Sequence, residues 1–254
     1  QLYYDQTSEY FTTFWHSDVF VGDISSIIPC YFLTGKPIIY CHTDAVDDND
    51  IMKKILSIAR SDSSGGGGIQ GDIKTITVHK AFAATVLTAV TAQNSKGIRD
   101  VINLTPEMVK LQFDTVISNF MPDCIKLGML GTSEIIDIVA DKIKELGVNE
   151  IVVDPVLVSN RGEIMLDDEA LERYKERILP LAHVLIPNIP EAELLSGCKI
   201  EEMSDMVKTA EKLADMTGGS ILIKGGHLPS CADDLLYTKG EAIWFAQPLS
   251  LIHI

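Results

Sequence analysis

Ser61–Thr75 reads SDSSGGGGIQGDIKT and carries a Gly-x-Gly-x-x-Gly spacing from Gly66 to Gly71. A dinucleotide fingerprint also needs an acidic residue roughly 20 positions on, at the end of the next strand, to hold a ribose. That place reads TAQN, with Gln93 and Asn94. A P-loop needs glycine followed by lysine and then serine or threonine, whereas Lys74 follows Ile73. A flexible Gly/Ser linker does not fit between abutting strand and helix signals. What remains is a backbone able to approach a ligand closely, flanked by Asp62 and Asp72. Other polar and small groups follow: Gln93, Met129, Asp154, Asn188 and Lys224. Any one of them reads equally well as a loop residue capping the next helix. Six successive strand ends carrying small, amide, acidic and basic groups describe one ligand crevice.

The elements that must position these groups alternate. KKILSIA, ATVLTAVTA, DCIKLGML, EIVVDPV, AHVLIPN and GSILIKGG have the β-branched, apolar character of strands. Between them lie segments of helical period. The helix in TPEMVKLQFDTVISNF opens on Thr-Pro-Glu, and Met108, Val109, Leu111, Phe113, Val116 and Ile117 are expected on its buried face. Ile135, Ile136, Ile138, Val139, Ile143 and Leu146 pattern the next helix, which Gly147 stops. DDEALERYKERILPL and EMSDMVKTAEKLADM supply two more. Strand and helix in alternation predict an α/β fold, a mostly parallel sheet covered on both faces, with ligands at the carboxyl ends of its strands.

Composition narrows the partner. With 36 Asp and Glu against 21 Lys and Arg, the formal net charge is −15, which excludes a nucleic-acid or anionic-membrane surface as the expected partner and favours a small molecule. Cys30, Cys41, Cys124, Cys198 and Cys231 are odd in number and lack any Cys-x-x-Cys pair, which fits a reducing, cytoplasmic compartment. No apolar run reaches the length of a membrane span, and no export signal is visible.

IARSDSSGGGGIQGDIKT, TAVTAQN, IKLGML, VVDPVLV, LIPNIPEAELLSG and ILIKGGHL together resemble, in order and spacing, the hydroxymethylpyrimidine and phosphomethylpyrimidine kinases of the ribokinase-like superfamily. The resemblance runs from Met52 to about Pro248. It implies a three-layer α/β/α fold and ATP-dependent, Mg²⁺-assisted phosphorylation of 4-amino-5-hydroxymethyl-2-methylpyrimidine and of its monophosphate, in thiamin biosynthesis. In that family the glycine loop belongs to the substrate pocket. Carried over, Asp72 and Gln93 are expected to hydrogen-bond the aminopyrimidine, whose ring nitrogens accept and whose amino group donates. Gly67, Met129 and Val156 are expected to pack around the ring. Asp154 and Glu191 would face magnesium, a cation that selects hard oxygen ligands. Asn188 joins the phosphate network, Lys224 lies near the phosphates, and Gly225 and Gly226 let the nucleotide come close. The resemblance also implies a possible homodimer.

Two departures stand in the substrate region. Arg60 occupies a place where the family has glycine, so a long cationic side chain crowds or recharges the pocket; Gly71 replaces an alanine and loosens the helix start. The family's Gly-x-Gly-Cys or Gly-x-Gly-Asp anion-hole motif is expected after WFAQP, where this sequence reads LSLIHI, so no catalytic residue of that motif is present. Leu249–Ile254 reads as a sequence scar, and turnover by the chain as given is not expected.

Ser17–Cys41, SDVFVGDISSIIPCYFLTGKPIIYC, resembles the donor-site region of CDP-glycerol glycerophosphotransferases, with Asp23, Ser25 and Ser26 facing phosphate. HTDAVDDND, His42–Asp50, reads as a junction. The expected organisation is a foreign fragment over residues 1–50, an incomplete kinase domain over 51–248, and the scar over 249–254. Three functions stay open: the pyrimidine kinase, a pyridoxal kinase-like enzyme, and a ligand-binding fragment without catalysis. A glycerophosphotransferase reading rests on the short leader alone.

Overall fold

Strand β1 (Lys54–Asp62) buries Leu56, Ser57, Ile58, Ala59 and Arg60 in succession. A strand buried on consecutive residues is covered on both faces, the position of a central strand in a parallel sheet. In the computed structural model, which describes residues 52–246 apart from 95, 159–161, 163 and 227–232, β1 lies between β2 (Phe82–Asn94) and β4 (Cys124–Leu127), parallel to both. The order continues through β5 (Ile151–Val153), β6 (Val184–Leu185) and β7 (Ser220–Ile223), all parallel. Antiparallel strands finish both sides: β3 (Gly97–Asn103) on β2, and β8 (Asp234–Thr238) with β9 (Glu241–Phe245) on β7, for the order β3-β2-β1-β4-β5-β6-β7-β8-β9. The predicted mostly parallel α/β architecture is the one observed.

From β1 the chain first steps through α1 (Gly68–Val78) to β2, then returns past β1 to β4 and proceeds the other way through α3 (Ser133–Leu146) and α4 (Asp168–Arg177). Right-handed crossovers of opposite direction put helices on opposite faces, and they leave a crevice where the direction reverses, at the carboxyl ends of β1 and β4.

The helices are set by local chemistry. Helix α2 (Pro106–Ile117) begins with Thr105 accepting from the Met108 N–H at 3.3 Å and with proline in its first turn. Its buried face is Val109 and Phe113, with Val116 and Ile117 half-buried, whereas Met108 and Leu111, expected there, are exposed. The helical period explains the correction: 109, 113, 116 and 117 share one stripe, and 108 and 111 fall on the opposite side of the helix. Helix α3 buries Ile135, Ile136, Val139, Ala140 and Ile143, and ends at Gly147 in the left-handed region, φ 66°. Two further helices, α5 (Ile189–Ser196) and α6 (Met203–Thr217), connect β6 to β7. Between β8 and β9, Lys239 and Gly240 both have positive φ (51° and 81°), the two-residue turn whose twist suits a hairpin.

Candidate active site

The glycine loop packs first of all against its own strand. A Cβ on Gly68, whose φ is +56°, would lie 2.4 Å from the Arg60 carbonyl oxygen, so this position needs glycine twice over. Gly67 is the N-cap of α1, and its N–H donates to Asp62 Oδ2 at 2.9 Å. The other Asp62 oxygen accepts from the Ser64 backbone at 2.9 Å. Asp62 thus ties the loop to the end of β1, which runs three residues beyond the predicted Ala59.

Gln93 stands at the matching end of β2, as expected. Its backbone N–H donates to Ser63 Oγ at 2.8 Å, and that hydroxyl donates to the Gln93 carbonyl at 2.8 Å, a pairing that locks β2 to the loop. Its amide is engaged at both ends: Oε1 accepts from Arg60 Nη1, and Nε2 donates to Asp62 Oδ2 at 3.3 Å. Arg60 is 5% exposed, and the same Nη1 reaches Thr91 Oγ1 at 3.4 Å. Burial pulls this guanidinium below its ordinary pKa, an effect partly offset by the Asp62 and Asp154 carboxylates.

Asp72, in the second turn of α1, is fully buried; it accepts from Ser57 Oγ of β1 and lies 3.1 Å from Lys126 Nζ of β4. Burial pushes its carboxyl upward in pKa, while Lys126 and the Ser57 hydroxyl oppose the rise. Asp72 therefore spans the underside of the crevice, bound to two strands. Lys126 was not singled out from the sequence, although a lysine inside the apolar run CIKL was a legible signal.

Above that pair is a small hollow lined by Arg60, Gly68, Lys126, Met129, Asp154 and Val156, together with Ala59 and Gly128. Met129 and Val156 meet there as expected. Thr88 Oγ1 fixes Met129 by donating to its carbonyl at 2.7 Å. Val156 has φ 36°, a strained conformation for a β-branched residue. The backbone on either side is held: the Asp154 N–H donates to the Leu127 carbonyl at 2.9 Å, and the Leu157 N–H to Glu191 Oε1 at 3.0 Å.

On the β5 to β7 side, Asp154 is 1% exposed and its Oδ1 lies 3.3 Å from Lys224 Nζ. Asn188 and Lys224 are bridged as parallel backbone partners, which aligns the ends of β6 and β7. Glu191, expected to face magnesium, directs Oε1 to the Leu157 N–H and Oε2 to the Asn188 N–H at 3.0 Å each, while Asn188 Oδ1 accepts from the Glu191 N–H at 2.9 Å. This is a capping box that also grips the loop after β5. Gly225 is glycine because a Cβ there would lie 1.8 Å from the Asp233 carbonyl oxygen, whereas Gly226 borders open space. Of these two glycines, only the second leaves room for an incoming group. Tyr174 of α4, which sequence reasoning passed over, is fully buried near Asp154 and Glu191; desolvation and then those two carboxylates hold its hydroxyl well above its ordinary pKa. His227, the 1–50 segment with Asp23, Ser25 and Ser26, and Leu249–Ile254 lie outside the described residues.

Solved structures give this arrangement its class. The crystal structure of phosphomethylpyrimidine kinase from Clostridium difficile 630 is similar with TM-score 0.72 and 38% identity, over 77% of this chain and 84% of that one. Bacillus subtilis pyridoxal kinase, solved as an ADP complex, is similar with TM-score 0.71 and 32% identity, over 79% and 76%. The fold is that of the ribokinase-like phosphotransferases.

Within that class the family is specific. The family model described as phosphomethylpyrimidine kinase matches residues 62–251, and the chain belongs to this family. The hydroxymethylpyrimidine/phosphomethylpyrimidine kinase of Bacillus subtilis is 44% identical over 197 residues, 77% of this chain and 73% of that protein. The chloroplastic thiamine biosynthetic bifunctional enzyme TH1 of Arabidopsis thaliana is 39% identical over 192 residues, 75% of this chain, which spans 37% of that longer enzyme.

Proposed function

We propose that this chain binds 4-amino-5-hydroxymethyl-2-methylpyrimidine in the hollow between β1, β4 and β5, as a member of a family that phosphorylates the hydroxymethyl group and then the monophosphate. One observation carries the placement: Met129 and Val156 share the wall of the hollow with Arg60, which is bonded to Gln93, and with Asp154, which is paired with Lys224. A flat heteroaromatic ring suits apolar walls with a few directed polar groups.

The donor set fits the cofactors of the family. Asp154 offers a hard carboxylate oxygen beside a buried ammonium, a combination suited to Mg²⁺-bound phosphate. Glu191 fits that task less well, because both of its oxygens already accept from backbone N–H groups. Mg²⁺ and ATP, when bound, supply the transferable phosphoryl group and neutralise its charge. The chain's own residues do the rest. Lys224 places a positive charge at the end of β7, where it can stabilise negative charge on phosphate oxygens. Asp72 and Lys126 hold α1 and β4 together beneath the ring. The capping box keeps Val156 against it.

Titration calorimetry tests this reading with the aminopyrimidine, pyridoxal and a non-hydrolysable ATP analogue with Mg²⁺. The aminopyrimidine should bind in preference to pyridoxal, and Lys224→Met should weaken the ATP analogue about tenfold or more while leaving the ring affinity within about twofold. Preference for pyridoxal would overturn the substrate assignment. An ATP-analogue affinity indifferent to Lys224→Met would remove Lys224 from the phosphate site.

A further inference from the structure

The Gln93 amide carries the Arg60 guanidinium on its oxygen and the Asp62 carboxylate on its nitrogen. Each neighbour alone would fix the orientation of the amide; a flip would set NH₂ against a cation and C=O against an anion, so the two reinforce each other. The arginine is inside the site rather than beside it, because Arg60 lines the hollow together with Met129 and Val156. Thr91 Oγ1 also lies 3.5 Å from Oε1, but its single proton has a nearer acceptor in the Ser61 carbonyl at 2.8 Å, and its oxygen accepts from Arg60, so Arg60 is the closer donor to Oε1.

We infer that Arg60 is a specificity-determining residue: it takes up Gln93 Oε1, an acceptor that a ring amino group would otherwise use, and sets a cationic side chain in the wall of the hollow. The inference rests on the ring site proposed above. A ring bearing an amino group meets an acceptor already taken by a cationic donor. A ring of the same shape with an oxo group at that position meets a donor it can use. A carbonyl oxygen has two lone pairs, so competition is partial: it weakens the amino ring without excluding it.

The test compares two ligands and three chains by calorimetry: the aminopyrimidine and its 4-oxo analogue, each with the unaltered chain, Arg60→Gly and Arg60→Met. Arg60→Gly should tighten the aminopyrimidine about tenfold and should not tighten the oxo ring. Arg60→Met fills much of the same space without a donor, so it should shift the amino-to-oxo preference in the same direction even where both ligands bind more weakly. Equal tightening of both rings by Arg60→Gly, with no change of preference in Arg60→Met, would show a purely steric plug and overturn the inference. An unchanged preference in both variants would overturn it too. If the unaltered chain and both variants, each shown to be folded by a cooperative thermal melt, bind neither ring, the ring site itself is refuted and the inference falls with it. A chain that binds the aminopyrimidine without any Arg60 dependence leaves the substrate reading standing and removes only the role given to Arg60.

Discussion

Lys126 Nζ lies 3.1 Å from Asp72 Oδ2, and both side chains are less than a tenth exposed. One comes from a strand and the other from the helix after the glycine loop, so the pair fastens the two elements that form the crevice floor. Removing one partner of a buried pair strands the other, at a cost of about 3–5 kcal/mol. Lys126→Met should therefore unfold at much lower temperature than the unaltered chain at pH 8. The Asp72 pKa is already raised in the folded state, chiefly by burial, so the folded chain takes up a proton more readily than the unfolded one. From its contribution alone, stability is greatest at low pH and falls as pH rises from the ordinary carboxylate value through the raised one. Without Lys126 the rise is larger, and the deficit in melting temperature should shrink at pH 5. A deficit equal at pH 5 and pH 8 would contradict this account.

His79 gives the opposite sign. Burial lowers its pKa in the folded state. Stability linked to it is fully present above the unfolded value of about 6.5 and is lost as pH falls below that. His79→Gln should flatten the loss of melting temperature between pH 7 and pH 5. A slope identical to that of the unaltered chain would show that His79 is not its source.

Gly68 and Gly66 form a controlled pair. A Cβ at Gly68 would meet the Arg60 carbonyl at 2.4 Å, whereas at Gly66 the nearest atom is Ser64 Oγ at 3.7 Å. Gly68→Ala should cost upwards of about 2 kcal/mol, with Gly66→Ala within about 0.5 kcal/mol of the unaltered chain. Denaturant midpoints decide it; equal effects would mean that the loop is free to move away from β1.

Glu191→Gln keeps the shape but replaces one acceptor oxygen by a donor facing a backbone N–H. A loss of about 1–3 kcal/mol is expected. Because Leu157 follows the strained Val156, ring affinity should fall as well. Unchanged stability together with lost Mg²⁺ dependence of ATP-analogue binding would instead assign Glu191 to the metal.

The parallel core was legible because its strands are apolar runs separated by helical patterns, and six strand ends announced the crevice. The sheet margins were not. In β3, Arg99, Asp100, Ile102 and Asn103 are exposed, so the strand lacks any buried alternation to detect. The β8–β9 hairpin did carry a signal, Lys239-Gly240, which a search for turns alone would have found. The polar and small residue types at the strand ends were legible, but the protein groups each one holds were not. Gly225 answers to Asp233 and Gly68 to Arg60 where loops turn the chain back on itself, and Glu191 to Leu157 across 34 residues, encounters that hydrophobic periodicity does not report.

Arg60 also bears on how such a site can change over generations. A guanidinium can be buried at the end of β1 only where acceptors already wait for it, here Thr91 and Gln93, since without them it would be strongly disfavoured. The order of substitution is thereby constrained: the acceptors come first and the arginine second. Afterwards Gln93 is no longer free to vary, because it serves a neighbour as well as a ligand. Two lineages could share Gln93, Met129 and Val156 and still diverge in preference through this one position.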